Sequence, residues 1–174
     1  MARLSYADLS HPEAKPLVDR IVAEWAAARP DLDFTPLRVL SRVMRLGKRL
    51  GKVRGDAFAA AELEPWEFDV LAALRRSGRP YQLTPKALLD ANGVSSGTMT
   101  NRIDRLVERG FVVRLPDPND GRGVIVRMTP AGIARADKAI EVLVEEEQEL
   151  LSGLSAAEQE RLANLLRKLR YGFD

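Results

Sequence analysis

Thr98, Asn101, Arg102 and Arg105 share one face of a helix that the spacing predicts over residues 95–110, with Ser96 in its first turn. A guanidinium can bond guanine through two N–H groups, an asparagine amide can do the same with adenine, and a threonine methyl can touch thymine. The other face carries Met99, Ile103, Leu106 and Gly110, with Val107 beside them, and is expected to pack inward. Residues near the start of a helix laid in a major groove are the usual base readers, which favours Thr98, Asn101 and Arg102, with Ser96 a further DNA-binding candidate. Arg109, at the far end, is placed to meet a phosphate or to close the helix. Asp104 and Glu108 interrupt the basic face, so on these residues alone a merely solvated helix surface is the competing reading.

The next segment tips that balance. FVVRLP and GVIVRMT, over residues 111–116 and 123–129, alternate as β-strands do, and the stretch between them is charged and glycine-bearing. Arg122, between Gly121 and Gly123, is expected at the hairpin tip, where an isolated arginine has little structural use. The negative potential of a narrow minor groove attracts such a side chain. Asp117 and Asp120 would repel a nucleic acid, so their expected task is to fix the loop and orient Arg122.

The remaining elements must carry this helix and hairpin. Thr84-Pro85 begins a short helix that Asn92-Gly93 ends, and Val94-Ser95 leads into the reading helix; two helices about a glycine turn form a helix-turn-helix. Upstream, Leu17, Ile21, Trp25 and Ala28 recur at helical spacing over residues 12–29. Thr35-Pro36 starts a helix to about residue 61, with Leu37, Leu40, Met44 and Leu50 among its expected buried positions. Pro65 starts another, closed by Ser77-Gly78. Downstream, Thr129-Pro130 caps a long helix to about residue 151. Ser155 and Glu158 form a capping box for a terminal helix with Leu162, Leu165, Leu166 and Leu169. The expected fold is mainly α with a small β-wing: an extension helix in residues 1–34, a winged helix-turn-helix in 63–129, and helical scaffold in 35–62 and 130–174. Arg38, Arg42, Arg45, Arg49 and Lys52 make a basic stripe on the second helix. It reads either as a solvated face, a partner for Glu141, Glu145 and Glu149, or a phosphate contact.

Composition narrows the function classes. The 174 residues are 45% hydrophobic and 30% charged, enough for a buried core, and the net charge of +2 is too small to identify a partner by itself. With no cysteine and a single histidine, His11, neither thiol chemistry, cysteine-held zinc nor a Ser-His-Asp triad is available. No nucleophile-base set, metal cluster or phosphate-cradling glycine loop is recognisable, so neither an enzyme nor a cofactor or metal is expected. No apolar run approaches a membrane span, which leads to the expectation of a soluble, cytoplasmic protein without a membrane partner.

A second constellation concerns small molecules. Asp69 and Arg76 stand seven residues apart, two turns and about 10 Å along one helix face. Ala72 and Ala73 between them fill little space, and Trp25 can supply an aromatic wall. The alternative is structural: an acid near a helix start and a base near its end both complement the macrodipole, and Trp25 continues an apolar stripe.

The segment RIDRLVERGFVVRLPDPNDGRGVIVRMTPAG resembles the recognition helix and wing of MarR-type regulators, whose wing runs Asp-x-x-Asp-x-Arg, then strand, then Leu-Thr-x-x-Gly. Asp117, Asp120, Arg122, Thr129 and Gly132 match. Gly121 departs from a commonly basic position, and Met128 stands where leucine is common, a volume-conserving change. The resemblance implies a homodimer joined by its terminal helices, presenting two reading helices about 34 Å apart to pseudo-palindromic double-stranded DNA. The chain is also similar to the urate-responsive PecS/HucR-like branch of that family, at Trp25 in IVAEWAA, Asp69 in EFDVLAAL, Arg76 in ALRRSG and Arg102 in TNRIDRL. That likeness implies that Trp25 and Arg76 hold anionic urate, that its charge displaces Asp69, and that Arg102 transmits the movement. The expectation is a ligand-responsive transcriptional regulator, with repression as its mode and activation or dual control as the alternatives. Its rivals are a regulator with another phenolic effector and a winged-helix protein-interaction module.

Overall fold

The structure is a computed structural model that describes residues 17–118 and 120–170, the side chains of 121, 122 and 170 excepted. His11 and the expected first turn at residues 12–16 lie outside the described residues. Seven helices and three strands follow in the order α1 (Leu17–Ala28), α2 (Thr35–Ala60), α3 (Pro65–Arg76), β1 (Gln82–Leu83), α4 (Pro85–Asn92), α5 (Ser96–Glu108), β2 (Val112–Asp117), β3 (Asp120–Met128), α6 (Pro130–Leu151) and α7 (Ala156–Arg170). The fold is mainly helical with a small antiparallel sheet of order β1-β3-β2. Among the described residues no helix is long and apolar enough to cross a membrane.

The chain forms two compact units, Val53–Leu151 in one, and Met1–Lys52 with Ser152–Asp174 in the other. In the central unit, local signals stop and start the elements as their chemistry dictates. Pro65 occupies the first turn of α3, where its missing N–H costs nothing, and the Ser77 N–H closes that helix onto the Ala73 and Leu74 carbonyls. The Thr84 hydroxyl accepts the Ala87 N–H at 3.2 Å, and Gly93 ends α4 in the left-handed region at φ 61°. The Ser95 hydroxyl caps α5 through the Thr98 N–H. One core joins these elements: Leu71 and Leu74 of α3, Leu88 of α4, Met99, Ile103 and Leu106 of α5, and Val112 and Val126 of the sheet are almost wholly buried. Val107 and Gly110 are exposed, contrary to expectation. Val107 lies off the buried stripe, and Gly110 has left the helix at φ 70°.

Charged side chains brace the periphery of this core. Arg75 of α3 bonds Asp137 of α6 at 2.8 and 3.2 Å and lies 4.6 Å over the Tyr81 ring. Arg135 pairs with Glu62 at 2.8 Å, and that hydrogen-bonded guanidinium holds the Glu62 carboxyl below the usual carboxylate range. What this pair adds to stability is complete above the ordinary carboxylate range and fades as the pH falls through the lowered one.

In the other unit, Arg42 bonds both carboxylate oxygens of Asp19 at 2.7 and 2.8 Å, so one member of the basic stripe finds its acid on α1. Trp25 stacks on Phe34 with ring centroids 6.0 Å apart and stays half exposed. The apolar face of α1 behaves likewise: Val18 is buried, whereas Leu17 and Ile21 are exposed. On α2, Leu37 and Leu50 are half-buried and Leu40 and Met44 are exposed, whereas its buried residues, Ala57 and Phe58, fall in the stretch that belongs to the central unit. Periodicity locates an apolar face without saying what covers it.

Candidate nucleic-acid interface

The face of α5 opposite the core forms a single surface. Ser96, Thr98, Asn101 and Arg105 are exposed and Arg102 is half-buried. Thr98, Asn101, Arg102 and Arg105 line an open depression of about 400 Å³ together with Gly97 and Trp66. The start of the helix is fixed by hydroxyls, since Ser95 Oγ lies 2.9 Å from Thr98 Oγ1 and the Thr100 hydroxyl donates to the Ser96 carbonyl at 3.1 Å. Four of the side chains read from the sequence as DNA-binding thus converge. Trp66, which the sequence did not suggest, stands among them; its only local signal was an aromatic residue after a helix-starting proline.

Two further arginines set this face. Arg114 of β2 bonds the Asp104 carboxylate, ties the wing strand to α5 and neutralises the acid nearest the reading surface. Arg109, expected to meet a phosphate or to close the helix, does the second. It is the C-cap residue of α5, and its guanidinium pairs with Glu67, donates to the Glu62 carbonyl at 2.8 Å and covers the Phe111 ring at 4.6 Å. Glu67 is only 1% exposed and also accepts the Glu64 N–H at 2.9 Å.

The wing differs from its expected form in one respect. β2 and β3 pair from Val112 with Met128 to Pro116 with Val124, then shift register so that Asp117 pairs with Asp120. Residues 121–123 therefore lie within β3 at a bulge, and Arg122 is not at the tip. Its side chain lies outside the described residues. Gly123 packs so closely that an added Cβ would lie 2.9 Å from Asp117 Cβ and 3.0 Å from Asp120 Cβ. Both aspartates thus wall the bulge that carries Arg122. β1, unforeseen because it is two residues long, adds Gln82, whose side chain accepts from Arg127 of β3 at 3.0 Å.

Among the residues matched to the urate-responsive branch, Asp69 and Arg76 are exposed on α3, and no hydrogen bond joins them. Ala72 and Ala73 between them are buried in the core instead of lining an open space. The Arg102 guanidinium lies 5.8 Å from the Trp66 ring centroid.

The MarR family model matches residues 62–123, from the turn after α2 into the wing. The HTH-type transcriptional regulator PecS of Dickeya dadantii is 35% identical over 152 residues, covering 87% of this chain and 92% of PecS. Among solved structures, a mutant of E. coli MarR complexed with operator DNA superposes with a TM-score of 0.64 at 30% identity, over 79% of this chain and 99% of that one. Bordetella bronchiseptica BpsR, from a study of how 6-hydroxynicotinic acid regulates its DNA binding, gives 0.62 at 27% identity, over 76% and 92%. An exposed polar face on a capped second helix, a wing braced to it through Arg114 and Asp104, and likeness across nearly the whole of these relatives lead to one conclusion: the chain is a MarR-family winged-helix transcriptional regulator.

Proposed function

We propose that this regulator acts as a homodimeric repressor on pseudo-palindromic duplex DNA and is released by urate or a related aromatic anion. The observation that carries the DNA reading is the convergence of Thr98, Asn101, Arg102 and Arg105 on the exposed face of α5, opposite a fully buried stripe. Pairing of two copies is supported by the apolar side chains that α1, α2 and α7 leave exposed, among them Leu40, Val43, Met44, Leu165 and Leu166. A two-fold dimer sets its reading helices about one DNA turn, roughly 34 Å, apart.

Affinity for duplex fragments should fall steeply as salt rises, because bound arginines release condensed counterions. Absence of salt-sensitive duplex binding would instead favour a winged-helix module for protein contacts. Arg122→Ala is expected to weaken binding to all duplexes and to flatten the salt slope by about one, whereas Asn101→Ala should change preference at particular base pairs. Equal binding by wild type and both variants, measured by fluorescence anisotropy across an operator library, would misplace the reading surface.

The effector reading rests on Trp25, Asp69, Arg76 and Arg102. An anion held by Trp25 and Arg76 would repel Asp69, and it shifts the DNA-binding equilibrium only through unequal affinity for the two conformations. Urate is therefore expected to lower operator affinity, and Asp69→Ser or Arg76→Ala to blunt the response. The BpsR precedent favours one second reading, a hydroxylated pyridine carboxylate in place of urate. Titration of both anions decides: unchanged DNA affinity and unchanged melting with urate remove urate, and a response to 6-hydroxynicotinic acid alone assigns the other.

A further inference from the structure

Trp66 occupies the first turn of α3, where Pro65 fixes the backbone, and its indole packs half-buried against the core. Two guanidinium groups of α5 lie over it, with Arg105 Cζ 4.9 Å and Arg102 Cζ 5.8 Å from the ring centroid. These arginines are three residues apart on one helix face, so their charges repel each other. Among the described residues neither guanidinium has a hydrogen bond or an ion pair, and the indole is the ring that both lie over. We propose that Trp66 is a positioning residue for DNA recognition, an aromatic platform that pre-places Arg105 and Arg102 with their N–H groups still available. This rests on the DNA reading of α5 given above.

The choice of side chain follows from what each alternative would do. A carboxylate at this place would also hold two arginines, but it would occupy their donors and repel phosphate. The electron-rich face of an indole attracts the guanidinium while leaving the N–H edges free for bases or phosphates. Each long side chain so ordered loses less conformational freedom on binding, and the gain appears in affinity without any contact between Trp66 and DNA.

The test is a double-mutant cycle on the full chain, with duplex affinity as readout. Trp66→Leu should weaken binding by about tenfold and Trp66→Phe, which keeps a weaker ring, by less than about threefold. In an Arg105→Met background the cost of Trp66→Leu should shrink at least threefold, as roughly expected of coupled neighbours. Without DNA, the Arg105 Nε–H resonance should carry a ring-current shift in wild type and lose it in Trp66→Leu. If Trp66→Leu destabilises the fold, Trp66→Phe in the wild-type and Arg105→Met backgrounds supplies the cycle. Equal losses in both backgrounds, or wild-type affinity in Trp66→Leu, overturn the platform role alone. Failure of the wild type to bind any duplex in a salt-sensitive way overturns the DNA reading, and this role with it.

Discussion

Gly132→Ala is expected to lower the melting temperature by roughly 6–12 °C, the equivalent of about 3 kcal/mol in a chain of this size. A Cβ at Gly132 would stand 2.1 Å from the Phe111 carbonyl oxygen and 3.0 Å from its carbon. Neither atom can yield cheaply, because three hydrogen bonds hold the same corner. The Thr129 N–H donates to the Phe111 carbonyl at 3.0 Å, the Thr129 hydroxyl donates to Gly110 at 2.7 Å, and that hydroxyl accepts the Gly132 N–H at 3.1 Å. Room for a methyl group therefore requires α6 to draw away from the turn between α5 and β2, which breaks bonds worth about 1 kcal/mol each. Gly55→Ala is the control: nothing lies within 4 Å of its Cβ position, and in a helix interior the change should be neutral or stabilising by roughly 0.5–1 kcal/mol. Thermal denaturation of both variants settles it, and a Gly132→Ala protein that melts with the wild type would show that α6 can move freely from that corner.

The close approach at Gly132 explains why a threonine and a glycine three residues apart follow the wing, a pattern the sequence displays without its cause. Local signals were legible in general. Thr84, Ser95, Thr129 and Ser155 each cap the helix their spacing predicted, because a cap involves residues within one turn. Contacts distant along the chain were not. Glu67 reads as an ordinary acid in a helix start, and nothing local announces that Arg109, 42 residues on, will bury it. Trp66 was passed over for the same reason, since its partners lie on α5. Arg122 was misplaced because Gly121 and Gly123 suggested a tip, whereas tip position depends on cross-strand register, here set by the pairing of Asp117 with Asp120. The exposed side chains of α1 and α2 separate two kinds of information: apolar spacing locates the faces, but among the described residues Leu17, Ile21, Leu40 and Met44 remain exposed.

Arg109→Met should be the most damaging single change at the interface, with a loss of roughly 3 kcal/mol and a melting point lower by about 6–12 °C. The expected size follows from asymmetry within one ion pair. Glu67 is 1% exposed, whereas the Arg109 side chain remains 37% exposed. Removing the arginine leaves a carboxylate inside the protein with one backbone N–H as its described partner, while removing the acid leaves a guanidinium that water can reach and the Glu62 carbonyl still accepts. Glu67→Gln should therefore cost less, roughly 1–2 kcal/mol, since the amide oxygen can keep the Glu64 N–H. The double variant should be more stable than the sum of the two losses predicts, because no charge is then stranded. The same pair also joins the start of α3, where Trp66 lies, to the end of α5. Arg109→Met should thus loosen the reading helix and reduce operator affinity at temperatures where the protein is still folded. Chemical denaturation of the three variants, with duplex binding measured at low temperature, provides the check. A variant Arg109→Met that melts within about 2 °C of wild type, a shift worth under roughly 1 kcal/mol, would mean that water reaches Glu67 and that the pair holds neither helix.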